Sequence, residues 1–213
     1  MAILYETVGQ WLIRPLLLAL YRAEVAGIER IPATGPAILA ANHESVVDPF
    51  VLGLTTPRTI RYMAKSELFE SAMGRLFMHG FGTFPVERGR GDRKSMARAR
   101  ALLDQGELVG MFPQGTVVPS RSRPFRRGAA RLALETGVPI VPVCLVGTER
   151  VWRPYDFKLG LAKVRVLVAS PIAVAPRKPT IVASNALIAQ VEAAVLELRR
   201  PYGEPAHAWI ELG

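Results

Sequence analysis

Hydrophobic residues along this chain fall into short unbroken runs separated by amphipathic stretches, a pattern that predicts strands and helices by turns. Residues 37–41, 108–112 and 138–146 are continuously apolar and too short for core helices, so they read as strands buried on both faces. Residues 23–29, 59–64, 82–87 and 164–169 supply further strands. Helical spacing marks residues 49–54, 67–77 and 93–103, the last with Met96, Ala99, Leu102 and Leu103 on one side. A further helix covers residues 128–135, with Gly137 placed to cap it, and a Pro-rich stretch leads into a long final helix over residues 181–199. This alternation predicts an α/β fold: a single domain with a mixed, largely parallel sheet covered by helices.

The ends carry different patterns. Residues 1–22 are rich in Leu, Ile, Trp and Tyr, but Glu6, Arg14 and Arg22 break the run. Its longest apolar piece, residues 15–21, is far short of the roughly 20 residues a spanning helix needs. No small-residue cleavage site follows a charged start, which argues against a signal peptide. Trp11, Leu12, Leu16, Leu18 and Leu20 suit an amphipathic helix lying at a membrane interface, or equally a terminal helix packed on the core. The expected organisation is an N-terminal interfacial helix (1–22), an α/β domain (23–200) and a C-terminal tail (201–213).

Charge narrows the partners. The chain of 213 residues has a formal net charge of +9, and residues 84–131 hold eleven Lys/Arg against four Asp/Glu. Such a surface attracts anionic lipid, phosphorylated substrates or nucleic acid. The basic residues lack interleaved aromatics and match no nucleic-acid-binding module, so nucleic acid is set aside. His43, His79 and His207 are scattered and no Cys/His cluster has ligand spacing, so no metal is expected. The single cysteine, Cys144, lies in an apolar run and reads as a small buried hydrophobe.

The candidate chemistry sits directly behind the run 37–41, in Asn42-His43-Glu44-Ser45-Val46-Val47-Asp48-Pro49. Histidine can take a proton near neutral pH, and an aspartate five positions on can orient it and offset the imidazolium charge. Gly-x-Ser-x-Gly is absent, which favours base catalysis on an external hydroxyl over a covalent acyl-enzyme. Residues 82–88 and 112–116 also follow strand ends, where ligands gather in open α/β sheets. Arg88 is placed to grip a phosphate, Gly115 to admit backbone amides close to a ligand, and Thr116 to add a hydroxyl.

Four ordered blocks carry a resemblance: Asn42-His43 through Asp48, Gly82-Thr83-Phe84-Pro85-Val86-Glu87-Arg88, Phe112 to Val118, and Val138-Pro139-Ile140-Val141-Pro142. Over residues 25–170 the chain resembles the 1-acylglycerol-3-phosphate acyltransferase family. The resemblance implies transfer of a fatty acyl group from acyl-CoA or acyl carrier protein, as co-substrate, to the free hydroxyl of 1-acylglycerol-3-phosphate, giving phosphatidic acid. His43 and Asp48 would be catalytic, and Asn42, Lys65, Arg88, Gln114, Gly115, Thr116 and Arg126 would contact substrate, with no cofactor. One block departs from the family pattern: Gln114 replaces a glutamate, and Val117-Val118 replace an arginine and a serine. Arg121, Arg123, Arg126 and Arg127 are all candidates for the missing positive charge. The altered loop keeps another lysolipid acceptor in play, and a non-catalytic membrane-lipid-binding relative is the remaining alternative. The expected partners are an anionic membrane surface and a lysophospholipid. The expected location is the cytoplasmic face of the cell membrane, peripheral or monotopic.

Overall fold

The computed structural model describes residues 15, 19–53, 56–71, 75, 78, 82–86, 92–115, 117, 123–152 and 160–203. Among them, seven strands form one sheet in the order β1-β7-β6-β2-β5-β3-β4. These are β1 (Glu24–Ala26), β2 (Ala37–Ala41), β3 (Ile60–Lys65), β4 (Phe84–Val86), β5 (Leu108–Met111), β6 (Ile140–Val146) and β7 (Arg165–Val168). The helices are α1 (Asp48–Gly53), α2 (Asp92–Asp104), α3 (Gly128–Thr136) and α4 (Ile181–Arg199). Every neighbouring pair of strands is parallel except β6 and β7. The sheet is therefore mixed and largely parallel, as the alternation predicts.

The continuous apolar runs become the central strands because both their faces are covered. All residues of β2, β5 and β6 are buried. The pleat sends Ile38 and Ala40 into a core shared with α2, α3 and α4, and Ala37, Leu39 and Ala41 into a second core with Leu52, Ile60 and Tyr62. Pro142 lies inside β6 without a backbone donor, and there the antiparallel ladder with β7 gives way to a separate Ile140–Ile172 bridge. Cys144 is fully buried, and burial pushes its thiol up to about 12, so it acts as a hydrophobe.

Helix α3 ends at Gly137, whose φ of 75° lets its N–H close back on the Ala133 carbonyl. Helix α4 is N-capped by Thr180, whose side chain accepts from the Ala183 N–H at 3.1 Å. The segment Ile181–Tyr202 is long and apolar enough to cross a membrane, with a mean hydropathy of 1.5. Its Leu187, Ile188, Val191 and Val195 are nevertheless buried in the first core, against the sheet.

The first strand and the run 82–87 form shorter strands than their patterns predict. The first strand stops at Ala26, because Gly27 turns the chain into a 3-10 helix, Ile28–Arg30. Of the predicted helix 67–77, the beginning is a 3-10 turn, Ser66–Phe69, Arg75 is helical, and residues 72–74 and 76–77 lie outside the described residues. Among the described residues of the run 82–87, the strand covers Phe84–Val86, the three residues that register with Met63, Ala64 and Lys65. The predicted interfacial helix and the tail beyond residue 203 lie largely outside the described residues.

Candidate active site

β2, β5 and β6 run side by side in the same direction, so their carboxyl ends open on one edge of the sheet. β2 is the hub: its neighbours β5 and β6 lie far from it in sequence, and the loops leaving β2 and β5 converge around its end. The loop after β2 turns back on itself through Asp48. One oxygen, Oδ2, accepts from the backbone N–H groups of Glu44 and Ser45 at 2.7 and 2.8 Å and meets His43 Nδ1 at 2.9 Å. A carboxylate oxygen that accepts assigns the proton to Nδ1, which leaves Nε2 as the basic nitrogen. Asp48 is fully buried, while the His43 side chain keeps 17% of its surface exposed. A buried orienter beneath a partly open base is the arrangement general-base catalysis requires.

Residues at the end of β5 support the ring from a second direction. The Phe112 ring stacks on the His43 imidazole at 4.2 Å between centroids, and Tyr62 stacks behind Phe112 at 5.9 Å. Gly110 makes this column possible, because a side chain there would collide with the Tyr62 ring. The turn after β5 then anchors the His43 backbone. Gln114 is fully buried, and its Oε1 accepts the His43 N–H at 2.6 Å. That bond also fixes the amide's orientation, since only oxygen can accept there. Gln114 thus holds the histidine's backbone through its side chain.

The other predicted residues divide. Asn42 is fully buried and clamps β6 twice: its Nδ2 donates to the Leu145 carbonyl at 2.8 Å and its Oδ1 accepts the Leu145 N–H at 2.7 Å. It continues the β2–β6 pairing with a side chain. Gly115 is exposed with φ of 79°, but its amide is spent on the Phe112 carbonyl at 3.0 Å. What Gly115 provides is room, because the Arg126 Nη1 lies 3.1 Å from where a Cβ would stand. Arg126 is in turn held by its backbone N–H to the Pro113 carbonyl at 2.9 Å, and its exposed guanidinium has no partner among the described residues. Of the four candidate arginines, Arg126 is placed over the turn. Arg88, Thr116, Arg121 and the Lys65 side chain lie outside what is described; Lys65 ends β3.

Two residues of the site were not expected. Glu44 is buried beneath the His43 loop, and the Arg199 Nη1 donates to its Oε1 and Oε2 at 2.9 and 2.8 Å. Asn42 Nδ2 adds a third bond to Glu44 Oε1 at 3.0 Å. The available signal was the phase of Arg199 on α4: Ile188, Val191, Val195 and Arg199 share one stripe, and a charge in an apolar stripe implies a buried partner.

With this geometry in place, comparisons with known proteins agree on a family. The family model described as Acyltransferase matches residues 22–146. A Bacillus subtilis protein named 1-acyl-sn-glycerol-3-phosphate acyltransferase is 34% identical over 145 residues, covering 68% of this chain and 70% of that protein. The human 1-acyl-sn-glycerol-3-phosphate acyltransferase alpha is 33% identical over 156 residues, 70% of this chain and 55% of its own length. A chloroplastic relative from Brassica napus with the same enzyme name is 30% identical over 157 residues, 71% of this chain and 45% of that protein. The chain therefore spans about half the length of its plant and human relatives. The crystal structure of the 1-acyl-sn-glycerophosphate acyltransferase from Thermotoga maritima superposes with a TM-score of 0.67 at 22% identity, over 88% of this chain and 80% of that one, and shares the fold.

Proposed function

This chain belongs to the Acyltransferase family, and from that premise we propose that it moves a fatty acyl group from an acyl thioester to the free hydroxyl of 1-acylglycerol-3-phosphate, forming phosphatidic acid. The observation that carries the reading is the His43–Asp48 pair at 2.9 Å, one partner buried and the other open at the sheet's carboxyl edge.

A thioester is already activated, so what the reaction lacks is a nucleophile. The acceptor hydroxyl loses its proton to His43 Nε2 as its oxygen attacks the thioester carbonyl. Asp48 holds the ring's Nδ1–H and offsets the imidazolium as it forms. Collapse of the tetrahedral intermediate expels the thiolate, which takes the proton back from His43. General-base assistance of this kind is worth roughly 10²–10⁴-fold. Arg126, exposed over the Gly115 turn, meets the acceptor phosphate through charge-assisted hydrogen bonds. Arg88, Thr116 and Lys65 remain proposed contacts on the resemblance alone, and Gln114 serves the acceptor indirectly by fixing the His43 backbone.

The donor is acyl-CoA or acyl carrier protein, and the reaction so written needs no other cofactor. We place the enzyme peripherally on the cytoplasmic face of an anionic membrane. The net charge of +9 and the exposed Val46, set between His43 and Asp48, support an approach to lipid. The test is an acceptor panel with product identified by mass. Acyl transfer to lysophosphatidic acid well above lysophosphatidylcholine and glycerol 3-phosphate supports the reading. Equal use of a phosphate-masked lysolipid overturns the acceptor assignment.

A further inference from the structure

We propose that Arg199, the last residue of α4, is a positioning residue for the His43–Asp48 pair and acts through Glu44; this rests on the acyl-transfer reading above. The two residues are 155 positions apart, and Arg199 lies beyond residue 146, where the family model ends. The proposal makes the C-terminal helix part of the active site.

Among the described residues, the buried charged side chains are Glu44, Asp48, Glu149 and Arg199. Glu44 lies at their centre: the charges of Arg199, Glu149 and Asp48 all act on its carboxyl. From Nη1, Arg199 reaches both Glu44 oxygens and the Leu145 carbonyl at 3.0 Å, and its Nε donates to the Gly203 carbonyl at 3.1 Å. Glu44 is gripped at its other end too, since its backbone N–H is one of the three donors on Asp48 Oδ2. An unbroken line of contacts thus runs from α4 through Arg199, Glu44 and Asp48 to His43.

Removing the cation exposes what it does. Burial pushes the Glu44 carboxyl up to about 8, Glu149 and Asp48 push the same way, and Arg199 pulls against them. Without Arg199 the buried carboxyl either stays protonated with its fork unmade or swings towards water. Both movements loosen the N–H that holds Asp48, and with it the orientation of the His43 ring. The Phe112 stack and the Gln114 bond are untouched, so the ring stays in place but its tautomer and aim are no longer fixed.

The test compares Arg199→Met, Glu44→Met, Arg199→Lys and the double variant Glu44→Met/Arg199→Met. Arg199→Met lowers kcat by about 100-fold, the cost of a small misplacement of reacting groups, with KM for acceptor unchanged. Because the two contacts to Glu44 and the one to the Leu145 carbonyl of β6 all come from one nitrogen, a lysine ammonium with three donors restores most of the activity. In the double variant the losses are not additive, since Arg199 acts through Glu44 and an apolar pair of similar volume fills the site. The independent readout is the ¹⁵N spectrum of the His43 imidazole. It shows one tautomer with Nδ1 protonated in wild type and Arg199→Lys, and a mixture in Arg199→Met. A single unchanged tautomer in Arg199→Met, or additive losses in the double variant, overturns the proposal. The spectrum requires no turnover, so wild type that fails to acylate lysophosphatidic acid refutes the functional reading while this result still stands or falls by itself.

Discussion

Two loops leave adjacent central strands at the same edge of the sheet and are built in opposite ways. In the loop after β2, every polar side chain from Asn42 to Asp48 has a buried commitment: Asn42 to β6, His43 to Asp48, Glu44 to Arg199, and Ser45 to the Trp152 carbonyl at 2.7 Å. The turn after β5 buries one polar side chain, Gln114, and leaves Gly115 and Arg126 exposed. Proton transfer tolerates little error in distance, so its groups are locked to the sheet. On the proposed reading, acceptor recognition falls to Arg126, an exposed cation over the second turn. The departure of this chain from its family's pattern falls in the second loop, at Gln114 and Val117-Val118; Gln114 meets the backbone of His43, while the His43–Asp48 pair itself lies in the first loop.

Substitutions in the two loops should therefore fail differently. The largest effect comes from Asp48→Asn, which replaces the accepting carboxylate and lets an amide N–H face His43; kcat falls at least about 100-fold while acceptor KM holds. A variant with near-normal kcat would remove the division between the loops. Arg126→Ala is the counterpart, with KM for lysophosphatidic acid rising about 10-fold or more, kcat nearly constant, and melting temperature unmoved. A fall in kcat alone would show that Arg126 belongs to the reacting machinery instead.

Stability separates the loops again. Asn42→Ala leaves the Leu145 N–H without its buried acceptor and costs about 1–3 kcal/mol in urea unfolding, whereas Arg126→Ala costs close to nothing. Equal losses would mean that the β2 loop is not the more tightly bound. The smallest effect is on pH dependence. With Glu44 at about 8 in the folded protein against an ordinary 4.5, the folded chain holds an extra proton between those values. Its contribution is full below about 4.5 and fades as pH rises through about 8, so stability declines across that window. Glu44→Gln flattens the decline in melting temperature between about pH 5 and 8; an unchanged slope would assign it to other groups.

What the chain's pattern makes legible follows from how local each cause is. Continuous apolar runs reveal β2, β5 and β6, because full burial on both faces leaves no alternative composition. The bounds of α4 are local too, and that helix runs Ile181–Arg199 as predicted. The His43–Asp48 pair is visible because both partners lie in one loop. The antiparallel entry of β7 is not, since pairing direction depends on how the long segment after β6 returns. The Arg199–Glu44 fork is half visible: the phase of Arg199 on α4 marks it for burial, but its partner lies 155 residues away and is identified only by the fold. Asn42 and Gln114 read as substrate contacts because they sit in motif blocks, yet their side chains spend themselves on backbone groups of β6 and His43.

The central claim is that His43 activates an acceptor hydroxyl, and thiol release from palmitoyl-CoA, with and without lysophosphatidic acid, tests it most directly. In detergent, wild type should release thiol only when acceptor is present, and His43→Ala should lose that release while retaining its fold by circular dichroism. Acceptor-dependent release at the same rate in His43→Ala would contradict the account.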